Sequence, residues 1–296
     1  MGILYSNADL MIRAKRNGAS FDNILTIGHL KLFLTKKEIK QLIKTYNLNI
    51  EASSFDEYTY SNKFFEIFLE AKNVQSLDYS DYEKCDVVHD MNQNIGREYY
   101  EKYDVVVDGG TLEHVFNFPV AISNCMQMLK EGGNLFVFTM ANNHMGHGFY
   151  QFSPELFFRT LNEDNGFEIV DILLEEHKYP GAELSHKTDI YKVEDPYKVK
   201  GRVGLVSKSP VMLLVQATRK KIKPLFDNYP VQSDYSSLYE SHGNKITHES
   251  FSGVKDMIKK LFLMLPKNMQ DIVEGHRQLY KYSFKNTSFY KKNNQK

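Results

Sequence analysis

The sequence predicts an α/β fold in which a doubly wound, mostly parallel sheet carries helices on both faces. Through about residue 219, short apolar runs alternate with segments whose apolar residues recur at helical spacing. Most of the short runs are apolar throughout, which is typical of strands buried on both faces. The last two runs have no helical segment between them, which predicts an antiparallel strand at one edge of the sheet.

Seven apolar runs are assigned as strands from their β-branched and aromatic content. The clearest is Tyr103–Gly110, in which three consecutive valines precede an acid and two glycines. The first run, Asn23–Leu34, is interpreted as one strand with Gly28 near its middle. The predicted strands are Asn23–Leu34, Val74–Ser80, Cys85–Asn92, Tyr103–Gly110, Asn134–Asn143, Phe167–His177 and Gly204–Arg219.

Helices are predicted between these strands, and most have a recognisable start. Thr35 offers an N-cap hydroxyl to a helix with one apolar face. Pro119 opens a second helix, which two glycines end. Ser153 precedes a proline and an acid in the first turn of a third. A further helix is predicted over residues 61–73.

The chain is expected to divide near residue 219. Residues 1–219 form the predicted α/β domain, with residues 1–22 as a helical lead-in. Residues 178–202 are a polar insertion before the last strand. Residues 220–296 are predicted to be a polar linker, a helical extension and a mobile basic tail, with apolar helices that could hold a homodimer together.

The composition excludes several classes of protein. Lysine and arginine total 37, and aspartate and glutamate also total 37, which argues against a broad electrostatic footprint on nucleic acid. No segment reaches 18 apolar residues, and the first residues lack a secretory signal pattern. We therefore expect a cytoplasmic protein without a membrane span. Cys85 and Cys125 have no metal-ligand spacing, which predicts reduced core thiols.

Polar residues and glycines follow several of the predicted strands. In an open α/β sheet, ligands bind beyond the carboxyl ends of the strands. An acid after the second strand can accept from both ribose hydroxyls, and an acid after the third can meet an adenine amino group. Two glycines after the fourth let a ligand approach the backbone. The pattern therefore suits an adenosine-bearing small molecule. The residues at these ends are Gly28, His29, Asp78, Asp90, Asp108, Gly109, Gly110, Asn142, Asn143 and His144.

Each of these residues also has a structural interpretation. Asp78 and Asp90 are good turn formers after a strand. Gly109 and Gly110 could serve only as a strand-to-helix turn. The sequence leaves both interpretations open.

The stretch DVVVDGGTLEHV, with MLKEGGNLFVF and HGFYQFSPELFFRTL, resembles class I S-adenosylmethionine-dependent methyltransferases, which have a Rossmann-like domain. More narrowly, it resembles the methyltransferase-like proteins of bacterial capsule and O-antigen clusters. The resemblance covers about Asn23–Thr218. It implies that S-adenosylmethionine is the cofactor. The implied donor residues are Gly28 and His29 in the donor loop, Asp78 at the ribose, Asp90 at the adenine, and Asp108, Gly109, Gly110 and Thr111 near the sulfonium.

The chain departs from the family pattern in its first motif. The family usually has an acid followed by three spaced glycines there, whereas this chain has Gly28 alone. Leu30 and Leu32 would therefore have to turn away from a bound donor.

A second departure concerns metal binding. A subset of methyltransferases binds a divalent metal through the pattern Glu-x-x-Glu-His. This chain has Glu113 and His114, but Gly110 stands where the first carboxylate would be. We therefore expect no metal, and His114 could be a site wall, a proton relay or a residue packed over the sheet.

The glycine-bounded loop NNHMGHGFYQF carries two histidines, His144 and His147. The ordinary pKa of histidine suits proton abstraction near neutral pH, although both residues could simply be exposed or hydrogen-bonded. We predict that His144 performs the chemistry and His147 binds the acceptor, with Glu113 as an orienting group or the alternative base. The other predicted acceptor-binding residues are His114, Asn142, Asn143 and Tyr150, the last of which could instead be core.

The functional hypothesis is O-methylation of a sugar or another small polar acceptor in surface-polysaccharide biosynthesis. The polysaccharide context comes from the resemblance alone. The rival hypothesis is a non-catalytic binding or assembly protein with a degenerate donor loop. A nucleic-acid methyltransferase is disfavoured by the balanced charge and by the lack of an Asn/Asp-Pro-Pro-Tyr motif.

Overall fold

The computed structural model describes residues 2–55, 59–178, 188–235 and 253–293. The strands are β1 (Gly2–Ile3), β2 (Asn23–Ile27), β3 (Lys31–Leu32), β4 (Asn73–Asp78), β5 (Val87–Val88), β6 (Tyr103–Asp108), β7 (Leu129–Asn142), β8 (Phe167–His177), β9 (Thr188–Val193), β10 (Val211–Arg219) and β11 (Tyr290–Lys292). The helices are α1 (Tyr5–Arg16), α2 (Lys36–Thr45), α3 (Asn62–Phe68), α4 (Phe118–Met128), α5 (Pro154–Thr160), α6 (Gly253–Leu263) and α7 (Lys267–Lys281).

Across the described ranges, nine strands form the main sheet in the order β11-β9-β8-β10-β7-β6-β2-β4-β5. The pairs β5-β4, β4-β2, β2-β6 and β6-β7 are all parallel. Strand β10 is antiparallel to both β7 and β8, and β9 is antiparallel to β8 and β11. The predicted mostly parallel α/β sheet with an antiparallel edge is therefore confirmed.

The sheet is covered on both faces, as a doubly wound fold requires. Successive residues of β6 point to opposite sides: Val106 packs into a core that contains α4 and α5. Its neighbours Val105 and Val107 pack into a second core that contains α1, α2 and α3. Both cores consist of residues with almost no exposed surface, which explains why β6 has valine at three successive positions.

The helix starts predicted at Thr35 and Ser153 are confirmed by their hydrogen bonds. The Thr35 hydroxyl accepts from the backbone N of Glu38, whose carboxylate accepts in return from the backbone N of Thr35. This reciprocal pair is a capping box. The Ser153 hydroxyl likewise accepts from the backbone N of Glu155 in α5.

The first predicted strand, Asn23–Leu34, is wrong beyond Ile27. Gly28 has φ +84°, a left-handed conformation that ends the strand. The chain then forms β3, which pairs in parallel with β1 in a separate two-stranded sheet. Helix α2 therefore begins eight residues after Gly28 and not directly at the strand end.

The carboxyl-terminal part of the sheet also differs from the prediction. Strand β10 lies inside the sheet, between β7 and β8, and the polar insertion contributes β9 to the edge. The predicted mobile tail contributes β11, where Tyr290 is 2% exposed. Its ring is part of the core, because Phe284 packs against it and stacks on Tyr191.

Two predicted regions lie partly outside the described residues. The predicted linker, residues 227–250, is described only up to residue 235, and the predicted insertion, residues 178–202, is described except for residues 179–187. Within the described part of the chain, no helix has the length and apolar character needed to cross a membrane.

Candidate functional site

The sheet reverses its winding between β2 and β6, so a crevice is expected at the carboxyl ends of these strands. Ile27 at the end of β2 is in register with Leu77 of β4 and with Asp108 of β6. The residues that follow these strands, Gly28, Asp78 and Gly109, therefore lie at one edge of the sheet. The sequence-predicted donor residues belong to this edge.

Asp108 organises the turn that follows β6. Its side chain is completely buried, and its Oδ1 accepts from the backbone N atoms of Thr111 at 2.9 Å and Leu112 at 3.3 Å. Thr111 in turn donates its hydroxyl to the carbonyl of Ile27 at 2.8 Å. Burial, and secondarily the charge of Glu113, raises the pKa of Asp108 well above its usual range. Asp108 thus holds β6 and β2 together at their ends.

Glu113 lies in the one-turn 3-10 helix after this turn and is also completely buried. Its Oε2 accepts from the Thr139 hydroxyl at 2.8 Å. Its Oε1 makes no hydrogen bond to the described residues and lies 3.7 Å from Nε2 of His147. Burial raises the pKa of Glu113.

The backbone of Glu113 fixes the loop that follows β7. Its carbonyl accepts from the backbone N atoms of Phe149 at 2.9 Å and Tyr150 at 3.2 Å. A Cβ at Gly148 would lie 2.8 Å from that same carbonyl oxygen, so only glycine permits the approach. These contacts bring His147 against the Glu113 carboxylate.

His114 and His147 lie beside this carboxylate, and His144 lies next to His147. The ring of His147 lies 5.2 Å from that of His114 and 6.1 Å from that of His144, measured between centroids. One ligand atom each from Glu113, His114 and His147 falls within 4.8 Å of the others. His114 is exposed and His147 is half-buried, so the cluster opens to solvent. Partial burial lowers the pKa of His114.

The two loop histidines differ in burial and in their contacts, and their separate roles stay predictions. His144 is only 7% exposed, and its backbone N donates to Oε1 of Gln151 at 2.8 Å. His147 is the more accessible of the two and is the one backed by Glu113. The geometry therefore favours His147 over His144 for direct contact with an acceptor.

The polar ends of three other predicted acceptor residues make hydrogen bonds to the backbone. Asn143 donates its amide to the carbonyls of Ser207 at 2.8 Å and Ser209 at 2.7 Å. The Tyr150 hydroxyl donates to the carbonyl of Phe116 at 2.6 Å. Asn142 makes a long contact of 3.5 Å to the carbonyl of Leu205. These contacts shape the loop, and a role in acceptor binding stays a prediction for these residues.

Asp78 and His29 line the other end of the predicted donor site. Asp78 ends β4, is only partly buried, and accepts from the backbone N of Tyr79 at 2.6 Å. The His29 ring stacks on Tyr60 with centroids 3.6 Å apart, and its Nδ1 bonds the carbonyl of Glu83 at 2.7 Å. A partly exposed carboxylate and a stacked aromatic pair are each groups that can contact a nucleoside.

Asp90 forms the turn that its structural interpretation predicts. Its Oδ1 accepts from the backbone N and the side-chain amide of Asn92, at 2.9 and 2.8 Å. These hydrogen bonds lower the pKa of Asp90. A contact between Asp90 and an adenine stays a prediction.

Gly109 is packed against residues that the sequence did not assign to the site. A Cβ at Gly109 would lie 2.8 and 2.9 Å from the two Cδ atoms of Leu30, which is completely buried. The backbone N of Gly2 donates to the Gly109 carbonyl at 3.1 Å. Leu32 is also buried, so neither leucine turns away from the sheet. Leu30 is the sequence feature that could have predicted this covering of Gly109, because an apolar residue at that position conflicts with a polar donor loop.

No family model and no curated protein matches this chain. Among solved structures, it is similar to a proposed methyltransferase from Bacillus halodurans, with 13% identity over 73% of this chain and 100% of that one and a TM-score of 0.42. It is also similar to TehB from Haemophilus influenzae, with 13% identity over 72% of this chain and 62% of that one and a TM-score of 0.38.

A third similar structure is the 1,6-didemethyltoxoflavin-N1-methyltransferase of Burkholderia thailandensis, with bound 1,6-didemethyltoxoflavin and S-adenosylhomocysteine. It has 12% identity over 73% of this chain and 78% of that one, with a TM-score of 0.38. The fold assignment of this chain depends on its own strand order and register, described above.

Proposed function

We propose that this protein is an S-adenosylmethionine-dependent methyltransferase that acts on a hydroxyl group of a small polar acceptor. The supporting observation is that the Glu113–His114–His147 cluster and the partly exposed Asp78 belong to the same carboxyl edge of the sheet, around its point of reversal. One end suits a nucleoside and the other suits deprotonation of a hydroxyl.

The donor fits one end of this edge better than the other. Asp78 would hold the ribose, because a partly exposed carboxylate can accept from both hydroxyls. The end at Gly109 does not fit as arranged, since Leu30 and the backbone of Gly2 cover it. Leu30 and β1 would have to shift before a donor could contact the backbone there.

The acceptor end has the groups that methyl transfer needs. The donor supplies an activated methyl group, so the protein must orient the acceptor oxygen and accept its proton. His147 is the more accessible of the two loop histidines, and its Nε2 lies 3.7 Å from Oε1 of Glu113. Thr139 fixes the Glu113 carboxylate from the other side.

The sequence adds finer features to the proposal. A sugar-like acceptor and a role in surface-polysaccharide biosynthesis come from the resemblance, whereas a cytoplasmic location comes from the composition and a homodimer from the apolar carboxyl-terminal helices. Helices α6 and α7 expose many apolar side chains, which is compatible with a partner on that surface.

A second candidate function is favoured by the packing of Leu30 over Gly109. In that case the chain keeps the fold without binding a donor, and serves as a binding or assembly protein.

Calorimetric titration of the full chain with S-adenosylmethionine and S-adenosylhomocysteine separates the two functions. The first predicts saturable one-site binding of both compounds. Absence of binding at millimolar ligand to folded protein would reject the methyltransferase proposal and favour the second.

A further inference from the structure

The Glu113–His114–His147 cluster has the composition of a transition-metal site. Two imidazoles and one carboxylate are a common donor set for first-row divalent ions. The three side chains come from two segments, the 3-10 turn after β6 and the loop after β7. From the sequence we expected no metal, because Gly110 replaces a carboxylate. The third ligand comes instead from His147.

The spacing of these atoms fits a shared ion better than a direct hydrogen bond. Nε2 of His147 lies 3.7 Å from Oε1 of Glu113, beyond the range of a hydrogen bond. Two ligand atoms bound tetrahedrally to one Zn²⁺ at about 2.1 Å lie about 3.4 Å apart. One ligand atom from each of the three side chains lies within 4.8 Å of the other two.

The buried oxygen of Glu113 is an independent indication of a ligand. The side chain has no exposed surface, and Oε1 makes no hydrogen bond to the described residues. A buried carboxylate oxygen without a partner is costly, and a coordinated cation removes that cost. The second oxygen, Oε2, accepts from Thr139, as outer-shell partners do for metal-ligating carboxylates.

We propose that Glu113, His114 and His147 bind a divalent first-row transition metal, with Zn²⁺ or Mn²⁺ as the expected ions. Because three protein ligands leave coordination positions open and His114 is exposed, water or an acceptor hydroxyl can complete the site. The site stands on its own geometry. With the ion bound, His147 would be a ligand and not the base, and the ion would act in its place as a Lewis acid that lowers the pKa of the acceptor hydroxyl; that role rests on the proposed methyltransferase function.

The test is a titration of the tag-free full chain, first stripped with a chelator, with ZnCl₂ and separately with MnCl₂ in a calorimeter. We expect one ion per chain for at least one metal. CoCl₂ serves as a spectroscopic probe, because Co²⁺ bound by imidazole and carboxylate absorbs in the visible region.

Three variants and a control locate the ion. H114Q, H147Q and E113Q should each weaken binding at least tenfold. H276Q should leave it unchanged, because His276 lies on α7, outside the cluster. H114Q changes an exposed side chain, so it keeps the test valid if the buried E113Q does not fold.

Absence of binding at millimolar metal, or equal affinity in folded H114Q and wild-type protein, would overturn the proposal. The donor titration is a separate measurement. Metal binding without donor binding would reject the methyltransferase function and support the metal site. Donor binding without metal binding would overturn the metal site and support the methyltransferase function.

Discussion

Nε2 of His147 lies 3.7 Å from the buried Oε1 of Glu113, although the two residues are 34 positions apart in the chain. The contact exists because the Glu113 carbonyl binds the backbone of the loop two residues beyond His147, through Phe149. The turn after β6 and the loop after β7 therefore act as one unit.

Replacement of Thr139 by valine should destabilise the protein by about 1–3 kcal/mol, the cost of an unpaired buried polar group. The reason is that Oε2 of Glu113 loses its hydrogen-bond donor within the core. The free energy of unfolding from urea denaturation measures this. Thr139→Ser retains the hydroxyl and should cost clearly less. Equal losses in the two variants would contradict the importance of this hydrogen bond.

Gly148→Ala should displace the loop that carries His147. Its Cβ would lie 2.8 Å from the backbone carbonyl of Glu113, and a backbone atom cannot move aside cheaply. We expect a loss of about 1–3 kcal/mol in unfolding free energy. Gly201→Ala is the matched control, because its nearest atom, the Val199 carbonyl oxygen, is 4.0 Å away. A G148A protein as stable as G201A would show that the close approach is not required.

Leu30 and Gly109 should be coupled in a double-mutant cycle. Leu30→Ala removes a completely buried side chain and should cost about 2–5 kcal/mol. Gly109→Ala alone places a methyl group 2.8 Å from Leu30 and should also destabilise. In the double variant the new methyl enters the vacated space, so the loss should fall short of the sum by at least about 1 kcal/mol. Strict additivity would mean that the two residues do not share this space.

Asp78→Ala should weaken binding of S-adenosylhomocysteine by about 1.5–3 kcal/mol, the scale of a charge-assisted hydrogen bond. This prediction depends on the proposed function and is measured by calorimetry. Asp81→Ala removes a nearby exposed acid and should leave the affinity unchanged. An unaltered affinity in folded D78A would reject the ribose assignment.

The two cysteines should differ in their reaction with iodoacetamide. Cys125 is completely buried, and burial raises the pKa of its thiol well above the usual value, so the native protein should not react there. Cys85 is only partly buried, which corrects the prediction of two core thiols, and it should be alkylated slowly because desolvation raises the pKa of its thiol too. Mass spectrometry of the digested protein locates the label. Rapid labelling of Cys125 under native conditions would contradict its place in the core.

The sequence by itself determined the fold class, because apolar runs and helical spacing report which positions are buried. The Thr35 and Ser153 caps could be predicted for the same reason, since a cap depends on residues within one turn. The valines of β6 identified a strand buried on both faces, and the acid and glycines after them located its end.

Only the tertiary structure decided which distant segments meet. Periodicity does not specify a partner strand, so the position of β10 between β7 and β8, and of β11 at the edge, could not be read from spacing. The same holds for Leu30 over Gly109 and for His147 beside Glu113. Each contact joins residues far apart in sequence, and it is fixed by strand register and by backbone hydrogen bonds between loops, which leave no local pattern.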